Sequence, residues 1–148
     1  MTADVTVPHC GNHIQKGSAN LRRMVKIVIP GKINGLNDFI DANRRKQGNW
    51  SGGNEMKQTD QKFISFFIPR GLRFKGQIYL EYHFYEPNSR RDKDNISGYF
   101  HKVFQDALVA CHAIPNDGWK EIKGWSDSFS VDRANPRIEV RIKECREK

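Results

Sequence analysis

The chain is predicted to be an α+β domain, a mixed or antiparallel sheet of about four strands covered by helices, in the order β-α-α-β-α-β-β. Three stretches carry that prediction. Ile78, Leu80, Tyr82 and Phe84 alternate with Tyr79, Glu81, His83 and Tyr85, the period of a strand with one buried face. Ile96, Tyr99, Phe100, Val103, Phe104, Ala107, Leu108 and Cys111 recur at i, i+3, i+4 and i+7, which draws one apolar stripe down a helix. Ile138, Val140 and Ile142 then return to period two.

The elements follow in order. Residues 1–23 show neither period and are read as a disordered tail ahead of a single domain spanning 24–148. His9, Cys10 and His13 in that tail lack the second ligand pair that a structural zinc site needs. Met24, Val25, Ile27 and Ile29 form the first core strand, which stops at Pro30 and Gly31. Ile33, Leu36, Phe39 and Ile40 predict a short helix ending in Arg44, Arg45 and Lys46, cations that suit a helix C-terminus and also a phosphate backbone. After the glycine-containing loop of 47–53, a second helix is expected from about Asn54, burying Met56, Phe63, Ile64 and Phe67 and ending before Pro69. Arg70, Arg73 and Lys75 lead into the alternating strand, which ends at Glu86 and Pro87. Asp94 or Asn95 is placed to cap the long helix, and the turn residues of Pro115-Asn116-Asp117-Gly118 close it. A strand within Trp119–Val131 and a turn at 132–136 complete the order.

At 148 residues the chain can bury an ordinary core without staples. No apolar run approaches the roughly 20 residues of a membrane-spanning helix, and the N-terminus lacks the apolar core of a signal peptide. Cys10, Cys111 and Cys145 are odd in number and far apart, so reduced thiols in a cytoplasmic protein are expected. The 25 Lys and Arg against 17 Asp and Glu leave a net charge of +8 and a pI near 9.6. Such a surplus attracts phosphate polyanions, whose released counterions drive binding.

Against this basic background, acidic residues sit in a pointed place. Asp92 and Asp94 bracket Lys93 just past the end of the alternating strand, and Asp117 lies in the turn after the helix. Carboxylates crowded together repel unless a cation lies between them, and oxygen-only ligands suit Mg²⁺ or Mn²⁺. Such an ion generates a nucleophilic hydroxide and stabilises charge on a scissile phosphate, with Arg90, Arg91 and Lys93 holding flanking phosphates. The helix ends lie roughly 20 Å apart, so Asp117 must return toward the pair through the fold. Asp-Lys-Asp is alternatively a solvated helix start, and a basic DNA-binding protein without catalysis is the competing reading. His101 and His112 are left out of the site, because a metal-bound water needs no histidine.

The order Arg91-Asp92-Lys93-Asp94-Asn95, Lys102, Asp106-Ala107-Leu108 and Asn116-Asp117, followed by the last strands, resembles the RusA family of Holliday junction resolvases, especially its phage-type members. The likeness runs from about Val25 to Ile142. It implies a bacterial or phage-encoded Mg²⁺-dependent endonuclease that resolves four-way DNA by symmetric paired nicks in recombination and repair. It also implies a homodimer, whose two-fold symmetry matches that of the junction. Asp92, Asp94 and Asp117 would be the metal-binding catalytic acids and Lys102 the catalytic lysine; Arg44, Arg45, Lys46, Arg73, Lys75, Arg90, Arg91 and Lys93 are the expected DNA contacts. The family's lysine falls one turn after the second aspartate, where this chain has Gly98. Lys102 keeps nearly the same helix face about 6 Å further along, within pairing distance of Asp106. A nuclease preferring flaps or other branches fits the same residues.

Overall fold

A computed structural model describes residues 4–6, 21–44 and 52–146. Its elements are β1 (Asp4–Thr6), β2 (Leu21–Pro30), α1 (Leu36–Asn43), α2 (Gly52–Ser65), β3 (Ile78–Glu86), α3 (Lys93–Ala110), β4 (Ile122–Val131) and β5 (Arg137–Cys145). Apart from the short β1, this is the predicted β-α-α-β-α-β-β order of an α+β fold. The strands form one open mixed sheet in the order β1-β2-β5-β3-β4. All neighbours run antiparallel except β3 and β4, which α3 joins as a parallel crossover.

Period-two burial explains the sheet. Ile27 and Ile29 of β2, Ile78, Leu80, Tyr82 and Phe84 of β3, and Val140 and Ile142 of β5 are all buried. The stripe of α3 packs on them through Phe100, Val103, Phe104, Ala107 and Leu108, none of which is accessible to solvent. Tyr82 and Phe84 each meet Phe100 edge to face, with ring centroids 5.8 and 5.7 Å apart. Alternate residues point away from the helices and carry the ion pairs Lys26–Glu139 and Lys143–Glu81 at 3.4 and 2.8 Å. Those charges lie on the far side of the sheet from the apolar core.

Several expectations are corrected. The segment expected to be a structureless tail contributes β1, which pairs with β2, and β2 begins at Leu21 rather than Met24; 1–3 and 7–20, with His9, Cys10 and His13, lie outside the described residues. Helix α2 starts at Gly52, and Phe63 is exposed rather than buried, because Ile64 takes the inward position. Leu36 and Ile40 of α1 also face outward, leaving Phe39 to pack on Tyr99 with centroids 5.4 Å apart. The strand expected within Trp119–Val131 is present as β4, which starts at Ile122 after a turn in which Ile122 N–H donates to the Gly118 carbonyl at 3.0 Å. Among the described residues no helix is long and apolar enough to cross a membrane, and Cys111 and Cys145 are free thiols.

Candidate functional site

Asp92 and Asp94 stand at the start of α3, beyond the C-terminal end of β3, where a loop on a rigid scaffold is well placed to carry chemistry. The N-cap of α3 is Asp92, not Asp94 or Asn95, and its side chain makes no capping bond. Asp94 lies in the first turn, where the positive end of the helix dipole favours a carboxylate. Both aspartates are exposed. They line a cleft of about 650 Å³ together with Asn88, Ser89, Lys93 and Ser130. Among the described side chains every other carboxylate takes part in a hydrogen bond or ion pair, whereas Asp92 and Asp94 take part in none.

The loop that presents them is held by neighbours rather than by its own helix. Arg91 makes a forked pair with Glu86, Nε to Oε1 at 2.9 Å and Nη2 to Oε2 at 2.8 Å, and its Nη1 donates to the Ile33 carbonyl at 3.0 Å. The Arg91 and Glu86 side chains are only 13% and 8% exposed. Arg91, expected to touch DNA, is therefore a structural clamp: its guanidinium is consumed by a buried carboxylate. Asn95 Oδ1 accepts the Asn37 N–H at 2.7 Å, so it caps α1 rather than α3. This approach needs a glycine at Gly35, where a Cβ would stand 2.7 Å from both Asn95 oxygens.

Asp117 is not delivered to this pair. It lines a separate groove with Lys102, Trp119 and Trp125, beside the N-terminal end of β4, whereas the cleft of Asp92 and Asp94 reaches Val131 at the other end of that strand. The two ends of a ten-residue strand are about 30 Å apart. The physical reason is the crossover: α3 runs antiparallel to β3 and β4, so residues before and after it fall at opposite sheet ends. Among the described residues no group of three or more His, Cys, Asp or Glu could hold a metal together, and the expected three-acid centre is not formed within one chain.

Lys102 bridges Asp106 and Asp117 at 3.0 and 2.9 Å, and Lys57 reaches Asp106 at 2.9 Å. The i, i+4 pair with Asp106 is thus present, and Asp117 joins it. The ammonium of Lys102 holds the Asp117 carboxyl below its usual range, and Asp117 in turn raises the Lys102 pKa, followed in effect by Asp106.

The remaining expected contacts are dispersed. Arg90 and Lys93 are exposed beside the cleft, with the Lys93 Nζ 5.7 Å above the Phe129 ring. Arg44 is exposed and pairs with Asp41 at 3.6 Å; Arg45 and Lys46 lie outside the described residues. Arg73 and Lys75 precede β3, at the opposite end of that strand from Asp92, and Arg73 Nη1 donates to the His112 carbonyl at 2.6 Å.

Two features escaped sequence reasoning. Glu86 occupies a buried position in the period-two register of β3, and a charge there demands a partner, which was a readable signal for Arg91. His101 Nε2 and Asp127 Oδ1 meet at 2.7 Å midway along the seam between α3 and β4, a contact of two residues 26 apart that no local pattern announces.

No protein-family model matches this sequence, and no curated protein matches it.

Proposed function

We propose that this chain is a divalent-metal-dependent endonuclease acting on branched DNA, with four-way junctions, the substrate of the RusA family it resembles, as the favoured class. The observation that carries the reading is the carboxylate pair. In a chain of net charge +8, where the other described acids are engaged, Asp92 and Asp94 alone lack partners, and they stand over a cleft that Lys93 also lines, with the exposed Arg90 in the same loop. Two exposed carboxylates on one cleft repel each other weakly, and a cation bound between them would relieve that repulsion. Their oxygen-only donor set fits Mg²⁺ or Mn²⁺, which bind through one or two carboxylates plus water and phosphate oxygens. When bound, the ion supplies Lewis acidity to the scissile phosphate and lowers the pKa of an attacking water.

The protein's part is positional. Arg91 and Asn95 fix the loop so that Asp92 and Asp94 keep one geometry, while Arg90 and Lys93 draw in flanking phosphates. A homodimer supplies the two-fold symmetry that paired nicks require. Among the described residues β4 pairs only with β3, and along its other edge a second copy would run antiparallel. Such pairing sets the Asp117 end of one copy beside the Asp92 and Asp94 end of the other.

A second reading, a basic DNA-binding protein without hydrolysis, is favoured by one observation, the engagement of Asp117 by Lys102. Incubating the protein with a synthetic four-way junction, a flap and a linear duplex, in Mg²⁺ or EDTA, separates the two. The nuclease gives paired nicks in the junction lane with Mg²⁺ alone, and Asp92→Asn and Asp94→Asn bind the junction without cutting it. Full cleavage by Asp92→Asn would remove the cleft from the chemistry. Tight binding with no nick in any lane establishes the second reading.

A further inference from the structure

We infer that the groove between the C-terminal half of α3 and the start of β4 is a stacking site for unpaired nucleobases, with Trp119 and Trp125 as its platforms. This rests on the nucleic-acid part of the reading above and not on hydrolysis. Trp119 is 96% exposed, a costly presentation for the largest apolar side chain. Its backbone is nevertheless fixed. The Trp119 carbonyl accepts Gln77 Nε2 at 3.0 Å, Gly118 N–H donates to Glu121 Oε1 at 3.2 Å, and Ile78 N–H donates to the Glu121 carbonyl at 2.9 Å. A firmly held turn thus projects a bare indole.

Trp125 is 46% exposed, its other side resting against His101 with ring centroids 5.2 Å apart. The two indoles line one groove of about 450 Å³, a size within the roughly 300–1,000 Å³ range of sites that take small ligands. Lys102 and Lys123 line the same groove, and the exposed Lys120 stands next to Trp119.

Aromatic faces flanked by ammonium groups match a single strand, whose bases stack while its phosphates meet the lysines. A duplex offers its bases already stacked and cannot fill the groove. Lys102 is held by Asp106 and Asp117, which leaves Lys120 and Lys123 to meet phosphates, and an apolar protein surface would gain nothing from those two. Branched DNA supplies unpaired bases at the branch point, so this groove would recognise the branch while the cleft of Asp92 and Asp94 lies toward the other end of β4.

The test is fluorescence anisotropy with a labelled oligothymidylate and a labelled hairpin duplex of equal phosphate count, using the full chain. Trp119→Ala/Trp125→Ala should weaken oligothymidylate binding about tenfold or more and leave duplex binding within about twofold, because each stacked base contributes substantially. Trp119→Phe/Trp125→Phe should retain most of the affinity, and Lys120→Ala/Lys123→Ala should weaken both probes. Equal losses on both probes, or none on oligothymidylate, would overturn the inference. Wild-type protein that binds duplex but not oligothymidylate overturns it while leaving DNA binding intact; binding to neither probe overturns both readings. A change of molar mass by light scattering in the alanine variant, with oligothymidylate binding kept, would make the groove a protein interface instead.

Discussion

Removing the Arg91 guanidinium should unfold the protein's stability more than it disturbs DNA contact. Arg91 and Glu86 form a forked pair at 2.9 and 2.8 Å, with side chains 13% and 8% exposed, so Arg91→Ala leaves a nearly buried carboxylate without its cation. Losing one partner of a buried pair costs roughly 3–5 kcal/mol. The Ile33 carbonyl also loses its donor, adding about 1 kcal/mol. At about 3 °C per kcal/mol for a domain of this size, the melting temperature should fall by about 12–18 °C. Arg90→Ala, which removes an exposed cation from the same loop, should leave melting within about 2 °C and weaken junction binding with a shallower salt dependence. Thermal unfolding by circular dichroism, paired with junction binding over a salt series, reads both. An Arg91→Ala protein that melts within about 3 °C of wild type while losing DNA affinity would refute the clamp and restore Arg91 as a phosphate contact.

Other outcomes follow from the same geometry. Gly35→Ala forces a Cβ within 2.7 Å of the Asn95 oxygens and should cost about 1–3 kcal/mol in a urea titration, although its extended backbone suits any residue. Lys102 and Asp117 set the edges of a pH plateau. The depressed Asp117 group contributes stability above its ordinary 3.8 that is lost as pH falls through its folded value, and the raised Lys102 group contributes stability below 10.5 that is lost as pH rises through its own. The stability difference between wild type and Lys102→Met should therefore be flat between those limits and shrink outside them. Burial lowers the His83 pKa from 6.5, so its ring resonances should titrate by NMR with a midpoint below that value, and acid should withdraw the stability of the neutral ring. In the proposed edge-to-edge dimer, inactive Asp92→Asn and Asp117→Asn chains should recover nicking when mixed; no recovery would place the sites within single chains or exclude Asp117.

What could be read from residue order was the set of patterns that burial imposes. The alternation from Ile78 to Phe84 and the stripe from Ile96 to Leu108 give strand and helix because each element must hide one face, and the fold keeps both. The destinations of polar side chains were a different matter. Asn95 looked like a cap for the helix it begins, yet it caps α1, 58 residues earlier, because the loop of Ile33 to Asn37 packs against it. Asp117 looked like the third member of an acid trio, yet the crossover carries it to the far end of β4 and Lys102 claims it. Local spacing specifies neither contact, since each depends on how two distant segments are laid together. Helix ends likewise shifted by a few residues, as when α3 began at Lys93 instead of Ile96.

The joint between Asn95, Gly35 and Arg91 has a mechanical consequence. Asp92 and Asp94 lie between two residues that are bolted to other parts of the chain, Arg91 to the tip of β3 and Asn95 to the first turn of α1. Any tilt of α1 would therefore be passed through Asn95 to the start of the helix that carries the acids, with no contact at the cleft itself.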